Sequence, residues 1–434
     1  MNATLLVLLL YAIPAVAIVV WYLRSRARQH AEHARALQES IEAGLNEPAS
    51  LHPVVDPDRC LASGVCVRAC PEQALGIVRG KAVLINAAAC IGHGACAAAC
   101  PTEAIQLVFG TERRGVDIPA VKPNFESNVP GIFIAGELGG MGLVRKAAEQ
   151  GKRAIDAIRT AGRRGGDYDV VIVGAGPAGL AAGLGAVANK LKYAIVEQEP
   201  SLGGTVYHYP RNKITMTAPV KLPIVGRVKM GPEISKEALL AKFEDIARRA
   251  GLKFHFGEKM ESIERDGDCF VVRTTRASYR TGAVLLAIGR RGTPRKLGVP
   301  GEEQAKVVYR LIDPGQYRGR KVLVVGGGDA ALEAAIALAD EAGCEVTLSY
   351  RSEAFSRVKP ANRARLQERQ SRGRVAVLLK STVKRIDAGT VTLLHEDREV
   401  RLRNDAVIVC AGGELPFDLL KKVGIAFETK RGTA

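Results

Sequence analysis

The sequence predicts an α/β protein: two strand–turn–helix–strand units, a small α+β domain ahead of them and one apolar helix at the N-terminus. Three observations predict it. Glycine-rich turns follow apolar strands at Gly174 and Gly326, each leading into a helical pattern and a second strand. Six cysteines fall in two matching runs between Cys60 and Cys100. Residues 4–23 form an apolar stretch without a charge.

That first stretch is long enough to cross a bilayer as a helix, and Pro14 is tolerable in its middle. No Lys or Arg precedes it, whereas Arg24, Arg26 and Arg28 follow at once. This charge order speaks against a cleaved secretory signal and, by the positive-inside rule, puts everything after residue 24 in the cytoplasm. The expectation is a single transmembrane helix in the inner (cytoplasmic) membrane, with the bilayer as a partner and the catalytic domains cytoplasmic. Residues 24–50, rich in Arg, Ala, Gln and Glu, read as a helical stalk ending near Pro48.

The 434 residues suffice for about three domains. With 47% hydrophobic and 25% charged residues, the chain is core-rich and not disordered. Nine cysteines without a disulfide-type framework point to a reducing compartment. The net charge of +17 suits an anionic lipid surface. No nucleic-acid module is recognised, so nucleic acid is not an expected partner.

The cysteine runs are Cys60-x5-Cys66-x3-Cys70-Pro71 and Cys90-x5-Cys96-x3-Cys100-Pro101. They follow the two-cluster iron–sulfur pattern C-x2-C-x2-C-x3-C-P, except that Ser63 and His93 stand where the second cysteine belongs. The runs begin thirty positions apart and each is followed by a short apolar stretch, which makes them an internal duplication. Three readings of Ser63 and His93 stand side by side: a non-thiolate ligand in each [4Fe-4S] cluster, an open corner giving [3Fe-4S] clusters, or a fold without metal. Closed zinc sites take four ligands as two closely spaced pairs, which this spacing does not supply. Cys269, Cys344 and Cys410 sit singly in apolar runs and read as core residues.

In the first strand–turn–helix unit, residues 168–173 lead into Gly174-Ala-Gly176-Pro-Ala-Gly179, a helical pattern and a strand ending in Glu197. This order is the Rossmann-like dinucleotide fingerprint: the glycines allow close approach of pyrophosphate to a helix N-terminus, and the acid accepts ribose hydroxyls. In the second unit, residues 321–325 lead into Gly326-Gly-Gly328-Asp-Ala-Ala331, a helix and a strand followed by Arg351. An arginine there favours the 2′-phosphate of NADP over NAD; Arg357 is a second candidate.

Residues 54–110 resemble the bacterial-type ferredoxin domain over their whole length. That resemblance implies crossed ligation, with Cys60, Ser63, Cys66 and Cys100 around one cluster and Cys90, His93, Cys96 and Cys70 around the other. The two dinucleotide units, joined through Ala287-Ile-Gly289-x4-Pro294 and Val299-Pro-Gly301-Glu302, resemble the thioredoxin-reductase-like flavoproteins (pyridine nucleotide-disulfide oxidoreductases) over about 167–425. The resemblance implies FAD at the first site, NADP or NAD at the second, and Gly203-Gly204 against the flavin. It allows a homodimer. The C-x2-C pair of disulfide reductases is missing between 292 and 405, which puts dithiol chemistry in doubt; ferredoxin–NADP reductases of the family lack it too.

The family closes its flavin domain with a strand, a Gly-Asp and a helix. Here residues 130–137, ending in Gly136-Glu137, and the helical pattern of about 143–161 match that element upstream of the flavin domain, so the order looks circularly permuted. Glu137 stands where the family has Asp. The expected divisions are 1–23, 24–50, 51–110 (ferredoxin-like), 111–166 (permuted element), 167–297 (FAD), 298–404 (NAD(P)) and 405–434 (return to the FAD domain). No catalytic acid or base is named; His208 reads either as structural or as facing the flavin. The expected function is an oxidoreductase moving electrons between NAD(P)H, flavin, clusters and an unknown partner. The alternatives are a quinone or low-molecular-weight disulfide reductase, or a redox or oxygen sensor.

Overall fold

The computed structural model describes residues 3–43, 45–48, 51–112, 115–140, 142–162, 165–211, 213–216, 219–228, 233–290, 292–356, 358–414 and 416–432, without the side chains of 3–10, Met216 and Thr293. They form two compact units, Met1–Gly115 with Ala354–Pro360 and Arg431–Ala434, and Val116–Glu353 with Ala361–Lys430.

The first unit opens with helix α1, Ala3–Glu42, which runs unbroken through Pro14 into the basic stalk. Its apolar side chains between 11 and 23 face solvent, Tyr11 and Trp21 each at 71%. Among the described residues no helix is long and apolar enough to cross a membrane. Of the 4–23 span expected to cross, the side chains of 4–10 lie outside the described residues. The described residues therefore give the expectation of a transmembrane helix no support. Toward its charged end α1 touches the cysteine domain. His33 Nδ1 accepts the Ile77 N–H at 3.0 Å, covering a strand edge that its hairpin partner, 81–84, leaves unpaired.

The cysteine domain repeats itself at the thirty-residue offset. Helix α2, Val65–Ala69, corresponds to α3, Ala95–Ala98, and each starts from a left-handed glycine, Gly64 (φ 70°) and Gly94 (φ 77°). Left-handed residues recur at Ala62 and Gly92, and at Gln73 and Glu103. His52–Val55 pairs antiparallel with Ile105–Val108, and Leu75–Val78 with Lys81–Leu84. Leu75, Ile77, Ala82 and Ile105 pack with Cys66 and Cys96 to form a small core.

The second unit holds two parallel five-stranded sheets. The first has the order 255–256, 193–197, 170–173, 284–286, 132–134, all parallel. Alternate residues of its strands point to opposite faces, as strand geometry requires. Phe133, Val170, Ile172, Ile195 and Leu285 join one core, while Ile132, Ile134, Val171, Val173 and Val196 join the other. Helix α4, Val144–Ala161, buries Ala147, Ala148, Gly151, Ala154, Ile155 and Ile158 on one stripe. Helix α5, Pro177–Ala188, starts with proline at its first turn and is built of small residues. That composition lets α4 approach closely: a Cβ on Gly151 would strike the Ala178 carbonyl. Thus the upstream strand 132–134 completes the first sheet at its edge, separated from 170–173 by 284–286.

The second sheet has the order 307–308, 406–409, 321–325, 345–349, 375–378, with helix α6, Asp329–Ala339, after its glycine turn. Ala406–Val409 pairs in parallel with 321–325, whereas the sequence reading gave it to the return segment beginning at 405. An apolar four-residue strand fits either buried sheet by composition; only pairing selects one. The return follows it: 413–414 pairs with 293–294, Leu420 and Ile425 enter the first fold's core, and Phe427–Lys430 pairs with Val116–Pro119.

Candidate functional site

The cysteine domain contains two hollows. One is lined by Cys60, Ser63, Cys66 and Cys100, the other by Cys70, Cys90, His93 and Cys96. They enclose about 350 and 290 Å³ of space, solvent-open parts included. Each thus draws its last cysteine from the opposite run, as the resemblance implied. A turn follows each short helix at Pro71 and at Pro101. Among the described residues no group of three or more His, Cys, Asp or Glu lies close enough to hold a single metal ion. A cluster makes a different demand, since each cysteine binds a different iron.

The thiols are chemically suited to such a group. Burial pushes Cys90 up to about 11, helped by the neighbouring Cys96, Cys70 and Glu72 charges. Burial likewise raises Cys66 and Cys96. Burial alone would raise Cys100 as well, but the Thr102 hydroxyl and the amides of Thr102, Ala104 and Glu103 outweigh it and lower that thiol. Buried thiolates facing one another need a cation to offset their charge, and iron supplies it. The Ala82 N–H reaches Cys60 Sγ at 3.4 Å and the Ala104 N–H reaches Cys100 Sγ at 3.3 Å, contacts that tune a cluster's potential.

The first dinucleotide site gathers residues from four stretches of chain. Gly174 is left-handed (φ 108°), and a Cβ there would lie 2.5 Å from the Ala287 carbonyl. A Cβ on Gly179 would collide with the Gly174 carbonyl. Gly204 lies against Gly176, whose Cα a Cβ would meet at 2.9 Å, and the Gly203 N–H donates to the Ala175 carbonyl at 2.9 Å. Glu197 ends its strand buried. Its Oε2 accepts the Ala175 N–H at 2.7 Å and its Oε1 the Glu199 N–H at 3.0 Å. Burial raises its carboxyl despite those amides. Gly136 faces Ala178 at the start of α5, and its N–H donates to Gln150 Oε1 at 2.8 Å. Glu137 faces Gly142 and Gly289 beside it. Gly136, Gly174, Gly176, Gly179, Glu197, Gly203 and Gly204 thus meet around the turn into α5, the place where a helix presents free N–H groups to a pyrophosphate.

In the second site Gly326 (φ 145°) lies against the Cys410 carbonyl, and Ala331 is fully buried one turn on. A Cβ on Gly328 would meet open space, leaving the backbone accessible. Arg351 is exposed after strand 345–349; Arg357 lies outside the described residues.

Several residues of these sites escaped the sequence reading. Tyr350 covers Gly327 with its ring. Tyr209 is raised to about 12 by burial and by the Glu137 and Glu333 charges. Arg290 is lowered by burial although Glu137 and Asp117 oppose the shift, and its Nη2 donates to the Asp117 carbonyl at 3.0 Å. The only sequence signal for Tyr209 was its place just after Gly203-Gly204. His208 is held on both ring nitrogens, Nε2 at 3.0 Å from Glu199 and Nδ1 against Arg310, as a structural histidine is.

Two dinucleotide cradles in one unit, with a cysteine domain of this design on the same chain, define a flavin-dependent NAD(P)H oxidoreductase carrying an iron–sulfur domain. The comparisons agree. The chain belongs to the pyridine nucleotide-disulphide oxidoreductase family, which matches residues 171–433, and a 4Fe-4S dicluster domain matches residues 52–101. It is 31% identical to a ferredoxin–NADP reductase of Thermus thermophilus, over 61% of this chain and 78% of that one. The corresponding protein of Ignicoccus hospitalis is 33% identical over 60% and 83%. Bacilliredoxin reductase Bdr of Bacillus subtilis is 25% identical over 60% and 82%. Among solved structures, the bacillithiol disulfide reductase Bdr from Bacillus cereus aligns with a TM-score of 0.54 and 25% identity, covering 59% of this chain and 81% of that one.

Proposed function

We propose that this enzyme exchanges electrons between NADP(H) and a one-electron partner through FAD and two iron–sulfur clusters. The observation that carries the reading is the pair of hollows, each walled by three cysteines drawn from both runs, on the same chain as two dinucleotide cradles. Bound in the first cradle, FAD supplies the conversion between a two-electron nicotinamide and one-electron carriers.

The chain's own residues bind and orient. Gly174, Gly176 and Gly179 bring backbone N–H groups to the pyrophosphate, and Gly203-Gly204 presses that turn from outside. Glu197 holds the turn through the Ala175 amide and offers its carboxylate to the ribose. Glu137, Tyr209 and Arg290 form a polar corner near Gly289. The strand Val116–Pro119, where the chain enters this unit, supplies the carbonyl that receives Arg290. Gly326 and Gly328 serve the nicotinamide dinucleotide, with Arg351 toward a 2′-phosphate. A circularly permuted flavin domain is supported by strand 132–134 at the sheet edge and by Gly136 at the start of α5. A membrane-associated α1 is supported by its exposed apolar residues 11–23 followed by Arg24, Arg26 and Arg28.

The test is anaerobic titration of the full-length protein with NADPH, then turnover with a ferredoxin, a quinone or a disulfide. The visible flavin bands bleach, and the ferredoxin is reduced fastest. Protein that folds without flavin sinks the reading. The Bdr relatives favour a second reading, reduction of a low-molecular-weight disulfide; faster turnover of a disulfide would establish it.

A further inference from the structure

The two cysteine runs end in the same turn with different side chains. The Gln73 N–H donates to the Cys70 carbonyl at 3.2 Å and the Glu103 N–H to the Cys100 carbonyl at 3.3 Å, with Gln73 and Glu103 both left-handed (φ 50° and 51°). Pro71-Glu72 stand inside one turn and Pro101-Thr102 inside the other. Glu72 and Thr102 thus occupy equivalent places, and each lines its own hollow. The Thr102 hydroxyl lies 3.6 Å from Cys100 Sγ. Burial would raise the Cys100 thiol, and that hydroxyl heads the contacts that lower it instead. In the second hollow the sense is reversed: burial raises the Cys90 thiol, and the Glu72 charge adds to the rise.

An iron-bound thiolate carries no proton, so toward it the Thr102 O–H can only donate. Reducing a cluster adds one negative charge to its iron and sulfur. A donor on a sulfur stabilises that charge and raises the potential, whereas a carboxylate close by repels it and lowers the potential. Because the backbones of the two turns match, the side chain is what distinguishes them. We infer that the second residue after each run's last cysteine sets the reduction potential of its cluster, Thr102 raising the first and Glu72 lowering the second. One position of the duplication thus biases the two clusters in opposite directions, without either residue ligating iron. Ser63 and His93 act on the same potentials, so each variant is compared with the wild type and not one cluster with the other. This rests on the iron–sulfur reading above.

The test is an anaerobic redox titration of the full-length protein, with both cluster signals followed by EPR and iron and sulfide content measured in every variant. Thr102→Val removes the hydroxyl at nearly constant volume. It lowers one midpoint by about 59 mV, a tenfold change in the reduced-to-oxidised ratio of a one-electron carrier. Thr102→Ser keeps the wild-type midpoint. Glu72→Gln raises the other midpoint and leaves the first in place. Unchanged midpoints in Thr102→Val or Glu72→Gln, an equal shift in Thr102→Ser, or movement of the same midpoint by both substitutions would each overturn the inference. Where Thr102→Val loses its cluster, Glu72→Thr decides: a raised second midpoint supports the inference and an unmoved one sinks it. Wild-type protein that binds no iron instead removes the iron–sulfur reading itself.

Discussion

At the residue scale, the flavin cradle depends on atoms that are absent. Gly179 has no room for a side chain because the Gly174 carbonyl occupies its Cβ position. Gly179→Val is expected to cost about 1–3 kcal/mol or more through overpacking and to abolish retention of flavin, checked by the visible spectrum of purified protein and by its melting temperature. The need for glycine here was legible, because turn sterics act over a few neighbouring residues. The roles of Tyr209 and Arg290 were not. Nothing local distinguishes them from other aromatic or basic residues, and it is burial beside Glu137 that sets them apart.

At the element scale, α4 binds the upstream segment to the flavin fold. Gly151 meets the Ala178 backbone, so Gly151→Leu would force α4 off α5. The expected result is a loss of about 1–3 kcal/mol with weakened flavin binding, read from denaturant midpoints and flavin release. If flavin binding is unchanged, α4 is only a linker. The segment joining the two dinucleotide folds makes a separate prediction. Burial would raise the Glu302 carboxyl, but the Leu297 and Gly298 amides, at 2.5 and 2.8 Å, and the Tyr309 hydroxyl outweigh it and lower it. A carboxyl lowered in the folded state stabilises above its unfolded value, and that contribution disappears as pH falls through the lower folded value. Urea midpoints should therefore decline on acidification below about 4.5 less steeply in Glu302→Gln than in the wild type.

At the scale of the whole molecule, the two compact units draw on different sources of stability. The second has two sheets with extensive apolar cores. The first has few large apolar residues around its cysteines, and a domain of about 60 residues with so small a core is marginal alone. Removing iron with a chelator should unfold the cysteine domain and leave the flavin spectrum in place, since metal binding is coupled to folding. Circular dichroism alongside flavin fluorescence would check this. Simultaneous loss of both signals would mean that the units do not respond independently.

The sequence by itself determined the chemistry of each site. Cysteine spacing, glycine turns and the acid or arginine after a strand are local patterns, and local sterics and valence dictate what they do. It also carried the duplication, visible again in the left-handed residues at matching offsets. Only the tertiary structure decided which neighbours meet. It joined Ala406–Val409 to the second sheet, set strand 132–134 at the edge of the first, and turned Glu72 toward one hollow where its counterpart is a threonine. Those choices rest on pairing and packing between residues far apart in the chain, for which short apolar strands and single polar residues hold no local code.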